Sequence, residues 1–171
     1  MIIWTVGHST QPVAALIESL ALNGVQRLVD VRRYPMSRRN PQFNRDALAA
    51  SLAADTIGYR HAPELGGRRE PDPDSTNTAL RDAGFRGFAD YMTAPEFEAA
   101  LALLLEEAAA QRIAIMCAES LPWRCHRSLI SDALLARGIE VQHIIGDKTR
   151  AHTLSATGRV TDGRVVYPAL L

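Results

Sequence analysis

IAIMCAESLPWRCHR, residues 113–127, is the stretch on which the reading of the fold turns. An apolar run ends in Cys117-Ala118-Glu119, a turn carrying Pro122 and Trp123 follows, and Cys125-His126-Arg127 opens a helix read over residues 123–137. A strand tip running into a helix start is where α/β proteins bind anions and place nucleophiles. Both cysteines of the protein fall here, with Glu119, Arg124, His126 and Arg127 beside them.

Working outward, residues 2–6 read as a buried strand closed by Gly7-His8-Ser9. Residues 12–22 read as a helix with Val13, Leu16, Ile17 and Leu20 on one face and Asn23-Gly24 as its stop. Residues 27–31 form a second strand, 45–54 a helix and 58–62 a third strand, with a basic, proline-punctuated loop at 32–44. The segment GGRREPDPDST, 66–76, is a loop by composition. Helical sequence resumes near Asn77 and runs, broken at Gly84, Gly87 and Pro95, to about Gln111. Residues 112–117 and 140–145 are the fourth and fifth strands, and Gly138 stands where a helix C-terminal glycine belongs. Asp162-Gly163 is the two-residue turn of a hairpin between 159–161 and 164–166. Strands alternating with helices predict an α/β fold, with a mainly parallel central sheet of about five strands flanked by helices and a C-terminal hairpin. With no repeat or linker, 171 residues read as a single domain, 1–171.

The composition, 47% apolar and 22% charged, is that of a globular protein. No apolar run is long enough for a bilayer, and MIIWTVGHST lacks the pattern of a signal peptide. A cytoplasmic protein with free thiols and no membrane partner is the expectation. Net charge is zero, so no whole-protein field attracts nucleic acid. All but one of the 19 basic residues are arginine, which suits phosphate and carboxylate but is also what a GC-rich genome produces. Six arginines lie between Arg27 and Arg45 against one acid, Asp30.

Ligands of open α/β sheets sit outside the carboxyl ends of the strands. His8, Asp30 with Arg32, Glu64, and Cys117 with Glu119 follow four of the strands, and His143 lies in the fifth. Cys117 is read as a packed small hydrophobe, a nucleophile or a metal ligand. Cys125, expected in the first helical turn beside Arg124, His126 and Arg127, is read as the better candidate for a reactive thiol or as a packing residue. Glu119 is a candidate base, or a partner for Arg127; His126 is a proton carrier or a cap, with His8 in support. Arg124 and Arg127 form an anion cradle with the exposed backbone N–H groups. Arg127→Ala is accordingly expected to weaken ligand binding while leaving the protein folded. Asp30 and Arg32 are a ligand-facing group or an internal ion pair. The loop carrying Arg38, Arg39, Asn40 and Phe43 suits a phosphate backbone with a stacked base, or is a solvated loop plugged by Phe43; Arg68 adds a further cation.

Other chemistries fit less well. Structural zinc sites use closely spaced cysteine pairs, which are absent, although His8 and His143 could join Cys117, Cys125 and His126 through space; no metal is expected. The Gly-x4-Gly-Lys phosphate loop is missing. The Cys-x5-Arg spacing of tyrosine phosphatases places Trp123 where arginine is needed, with Arg124 one residue late.

TVGHST (5–10), LVDVRRYPMSRRNPQFN (28–44), YRHAPELGGRR (59–69), FRGFADYM (85–92), MCAESLPWRCHRSLI (116–130) and VQHI (141–144) together resemble the family catalogued as domain of unknown function 488, over almost the whole chain. The resemblance implies a shared fold and site and no particular reaction. Asp30-Val31-Arg32 and a cysteine at a strand tip are also similar to rhodanese-like sulfurtransferases, with a different order and a longer loop.

The expected function is binding of a phosphate-bearing ligand, nucleotide or nucleic acid, at the strand-tip rim, in a hydrolase or transferase if the protein is an enzyme. The alternatives are a thiol-dependent enzyme of sulfurtransferase or redox type using Cys117 or Cys125, and a non-catalytic nucleic-acid-binding adaptor. The sequence names no cofactor and no oligomeric state.

Overall fold

The computed structural model describes residues 1–169. A six-stranded sheet runs in the order β3-β2-β4-β1-β5-β6. Five strands are parallel: β1 (Ile2–Gly7), β2 (Arg27–Asp30), β3 (Gly58–His61), β4 (Ile113–Cys117) and β5 (Glu140–Ile145). The sixth, β6 (Lys148–Ala151), returns antiparallel to β5 and is one strand more than the sequence predicts. Its signal is present in Gly146-Asp147: Ile145 pairs with Lys148, and Gly146 takes φ 61° in the two-residue turn between them. The predicted hairpin is β7 (Arg159–Thr161) with β8 (Arg164–Val166), turning at Asp162 and Gly163, both at positive φ.

Strand periodicity sorts the core onto the two faces of the sheet. Leu28, Ala114, Met116 and Ile144 face α1 (Val13–Leu22) and α2 (Arg45–Ala54), meeting Leu16, Leu20, Leu48 and Leu52. Ile3, Val29, Ile113, Ile115 and Val141 face the opposite layer of α3 (Ala83–Tyr91), α4 (Pro95–Ala110) and α5 (Arg127–Leu135), meeting Phe88, Phe97, Leu101, Ile130 and Leu134.

Register then assembles the rim. Gly7 pairs with Cys117, and Asp30 with Met116, so the tips of β1, β4 and β2 lie side by side. Gly7 is required there: a Cβ on it would stand 1.9 Å from the Glu119 carbonyl oxygen, so the loop after β4 rests directly on the end of β1. Helix α5 starts at Arg127, later than predicted. Pro122–Arg124 forms a 3-10 turn, and Cys125 is extended with His126 as the cap. Cys125 therefore precedes the helix instead of lying in its first turn.

A buried polar chain ties the C-terminal segment to the sheet. The Asp132 carboxylate accepts from His152 Nε2 (2.8 Å), the Ser155 backbone N–H (3.0 Å) and hydroxyl, and the Tyr167 hydroxyl (2.8 Å). His152 Nδ1 lies 2.9 Å from His143 Nε2, and His143 Nδ1 lies 2.7 Å from the Thr5 hydroxyl. With both rings neutral, each group donates to the next toward Asp132. Burial, then the proximity of His152, Arg127 and Arg150, pushes His143 down to about 4. Burial raises the Asp132 carboxyl, but the hydrogen bonds from His152, Ser155 and Tyr167 outweigh it and hold it below the usual carboxylate range.

Both shifts have the same consequence. An unfolded histidine takes up its proton near 6.5, whereas folded His143 resists until about 4. Its contribution is intact above pH 6.5 and is lost as pH falls toward 4, a loss on the order of 3 kcal/mol. Depressed Asp132 extends the decline to lower pH. Urea denaturation from pH 7.5 to 4.5 should show stability falling across this window, and His143→Gln should flatten that slope.

Candidate functional site

Above the tips of β1, β2 and β4 lies a cleft of about 700 Å³, within the size range of small-molecule sites. Nine of the residues expected at the rim line it: His8, Arg32, Asn40, Arg68, Cys117, Glu119, Arg124, Cys125 and His126. Arg33, Tyr34, Asp82 and Phe85 also line it, and the sequence reading did not place them in the site. Arg38, Arg39 and Glu64 are exposed and lie off its walls.

Arg127 departs most from expectation. Its guanidinium is fully buried, donates to the Glu119 carbonyl and to Thr5 Oγ1 (3.4 Å), and leaves Nε without a partner. It holds the loop after β4 from beneath, through the backbone of Glu119 and not its carboxylate, so it is a positioning residue instead of the expected ligand contact. Among the described residues no carboxylate forms a salt bridge with it. Asp30 and Arg32 form the internal ion pair: Arg32 donates from NH2 (2.6 Å) and Nε (2.8 Å), and Tyr59 adds its hydroxyl to Asp30 at 2.6 Å. Burial, then the Asp30 hydrogen bond, pushes the Tyr59 hydroxyl well above its ordinary value.

His8 is engaged at both nitrogens. Nδ1–H donates to the Ser9 carbonyl (2.8 Å), Nε2 accepts from Arg32 (3.2 Å), and the ring stacks on buried Phe43 at 4.2 Å. Burial lowers its pKa, the Ser9 hydrogen bond opposing and Arg32 reinforcing the shift. His8 is thus a neutral strut that orients Arg32. Phe43 plugs the core, as the solvated-loop reading of its segment has it.

Cys117, Cys125 and His126 meet at the cleft. One ligating atom from each lies within 4.8 Å of the other two. Cys125 Sγ lies 3.5 Å from His126 Nδ1 and accepts the Arg127 backbone N–H at 3.5 Å. His126 Nε2 lies 3.3 Å from the Val31 carbonyl, which can only accept, so Nε2 carries a hydrogen, and Nδ1 is turned to Cys125. The neighbouring Cys125 thiol, with burial, pushes Cys117 well above the free-cysteine value. The Cys117 thiol, with His126 and Arg127, outweighs burial and holds Cys125 well below it. Neither His8 nor His143 joins the group, each being engaged elsewhere.

Glu119 accepts from the Ser120 hydroxyl (3.2 Å) and the Leu121 backbone N–H (3.3 Å), both on Oε1. Among the described residues Oε2 accepts no hydrogen bond from the protein. A polar side chain on a strand-tip loop is the signal that marked it in the sequence.

Replacing Arg127 by alanine should lower stability by about 3 kcal/mol or more, because the loop carbonyl and Thr5 lose their donor and a large volume empties. Arg124→Ala, on an exposed side chain, should stay within about 0.5 kcal/mol. Urea unfolding of the two variants checks this directly.

Among the described residues no helix is long and apolar enough to cross a membrane. No curated protein and no solved structure matches the chain. The segments at 5–10 and 141–144, two of those that carried the resemblance, lie outside the span matched by a family model. That model, described as Domain of unknown function DUF488, matches residues 12–134, and the chain belongs to this family.

Proposed function

We propose that the cleft binds a phosphate-bearing ligand of nucleotide size. The observation that carries this reading is the charge on its walls. Of the four arginines there, only Arg32 is neutralised by a carboxylate; among the described residues Arg33, Arg68 and Arg124 form no salt bridge. Guanidiniums without a carboxylate partner on the walls of one concavity suit a phosphate group. The aromatic at the mouth supports a nucleotide over a bare anion. Tyr34 is 59% exposed, with the Arg33 and Arg68 guanidiniums 5.6 Å and 5.8 Å from its ring centroid, an arrangement on which a base can stack. If the bound ligand is turned over, the chemistry is hydrolysis or group transfer with Glu119 as the proton carrier.

A second reading is a thiol enzyme of sulfurtransferase or redox type. It is favoured by two sulfurs facing one another beside the cationic walls. Transfer of the outer sulfur of thiosulfate to cyanide, releasing sulfite and thiocyanate, tests it; activity lost in Cys125→Ser or Cys117→Ser supports it.

Calorimetric titration with mononucleotides, dinucleotides, short DNA and short RNA tests the first reading. Binding of one of these classes is expected, weakened about tenfold or more in Arg68→Ala and Arg124→Ala and unchanged in Arg45→Ala. A steep fall of affinity with salt confined to the polymers identifies an extended nucleic-acid ligand. No binding of any class, or equal loss in all three variants, overturns the proposal.

A further inference from the structure

The three soft donors at the cleft have the arrangement of a metal site. We propose that Cys117 Sγ, Cys125 Sγ and His126 Nδ1 bind one zinc ion, with its fourth position open to the cleft. Two thiolates and an imidazole are ligands that zinc favours, and three protein ligands with one free position is the composition of catalytic zinc sites.

The geometry supports this at each donor. With Zn–S near 2.3 Å and Zn–N near 2.0 Å, tetrahedral coordination puts a sulfur and a nitrogen about 3.5 Å apart. Cys125 Sγ and His126 Nδ1 already stand at 3.5 Å, and Cys117 Sγ is within 4.8 Å of both. The histidine is oriented as ligating histidines usually are, with its other nitrogen donating to a backbone carbonyl, here that of Val31. The Arg127 N–H on Cys125 Sγ and the edge of His126 on the Phe88 ring, centroids 4.9 Å apart, fix the remaining freedom. Space is kept as well: a Cβ on Gly67 would lie 3.1 Å from His126 Nδ1, so the glycine leaves the approach to the ligating nitrogen uncrowded.

The site escapes a search for contiguous zinc motifs because its cysteines are eight positions apart in sequence. The 3-10 turn Pro122–Arg124 folds the second one back beside the first. All three donors and Glu119 line the same cleft. Zinc there supplies Lewis acidity and an activated water; Glu119 is the residue to take that water's proton. The zinc proposal stands independently of the nucleotide proposal, since the donors are not the arginines.

Reduced, chelator-stripped protein titrated with zinc against a chromophoric chelator, and separately with cobalt(II), tests the proposal without reference to activity. One equivalent of zinc should bind. Cobalt should give visible bands of tetrahedral intensity together with an ultraviolet thiolate-to-metal charge-transfer band. Cys125→Ser, Cys117→Ala and His126→Gln should each weaken zinc by more than the 10- to 100-fold, on the order of magnitude, that loss of an orienting partner costs. Arg124→Ala should leave zinc binding unchanged while weakening nucleotide, so the two proposals fail separately. The cobalt spectrum of the wild-type protein keeps the test decisive even where a buried cysteine variant fails to fold. A wild-type complex without the thiolate band, or zinc affinity unaltered in folded cysteine variants, overturns the site.

Discussion

The clasp of the β4–α5 loop onto the end of β1 governs the rest of the site. Its two halves are steric and electrostatic. Gly7 offers no Cβ, so the Glu119 carbonyl descends onto the strand; the buried Arg127 guanidinium meets that carbonyl from below. Burying a cation without a carboxylate is costly unless its donors are satisfied and some negative charge lies near. Here the donors reach backbone and hydroxyl oxygens, and Arg127 is among the groups that hold Cys125 below the free-cysteine value.

From this clasp a continuous polar path leads away from the cleft. Arg127 donates to Thr5, Thr5 meets His143, His143 meets His152, and His152 donates to Asp132, on which Ser155 and Tyr167 also converge. Every buried polar group in it has a partner except Arg127 Nε. The C-terminal segment is thereby docked on the same residues that steady β1 and α5, which accounts for α5 being buried on nearly every side.

Much of the architecture is legible in the sequence because it rests on local signals. The 2.0 and 3.6 periodicities of Leu28–Val29 and of Leu16–Leu20, the Asp162-Gly163 turn and the glycine at 138 each act within a few residues. β6 escaped because Lys148, Thr149 and Arg150 carry no apolar alternation; that strand is exposed and pairs with β5 at the sheet edge. Within the site, residue type marked the strand-tip groups, but burial decided their roles, and burial is a long-range property. Nothing local distinguishes Arg124, exposed on the cleft, from Arg127, three residues on and sealed beneath it. Arg33 and Tyr34 were obscure for the opposite reason: they join the cleft only because the 32–44 loop folds back beside Arg68.

The division between Arg124 and Arg127 also explains how one short segment serves two needs. A helix beginning at residue 123 would carry Cys125 on its barrel, away from Cys117. The chain instead makes a single 3-10 turn over Pro122–Arg124, with Pro122 at its start, and one extended residue, Cys125. That detour delivers Cys125 and His126 to the tip of β4 and leaves Arg124 facing solvent across the cleft. Only then does the helix start, with Arg127 turned inward under the loop. The soft donors, Arg124 on the wall and the buried Arg127 beneath are therefore consequences of one local geometry. The backbone that brings Cys125 and His126 to the tip of β4 is also the one that sets Arg124 on the cleft wall.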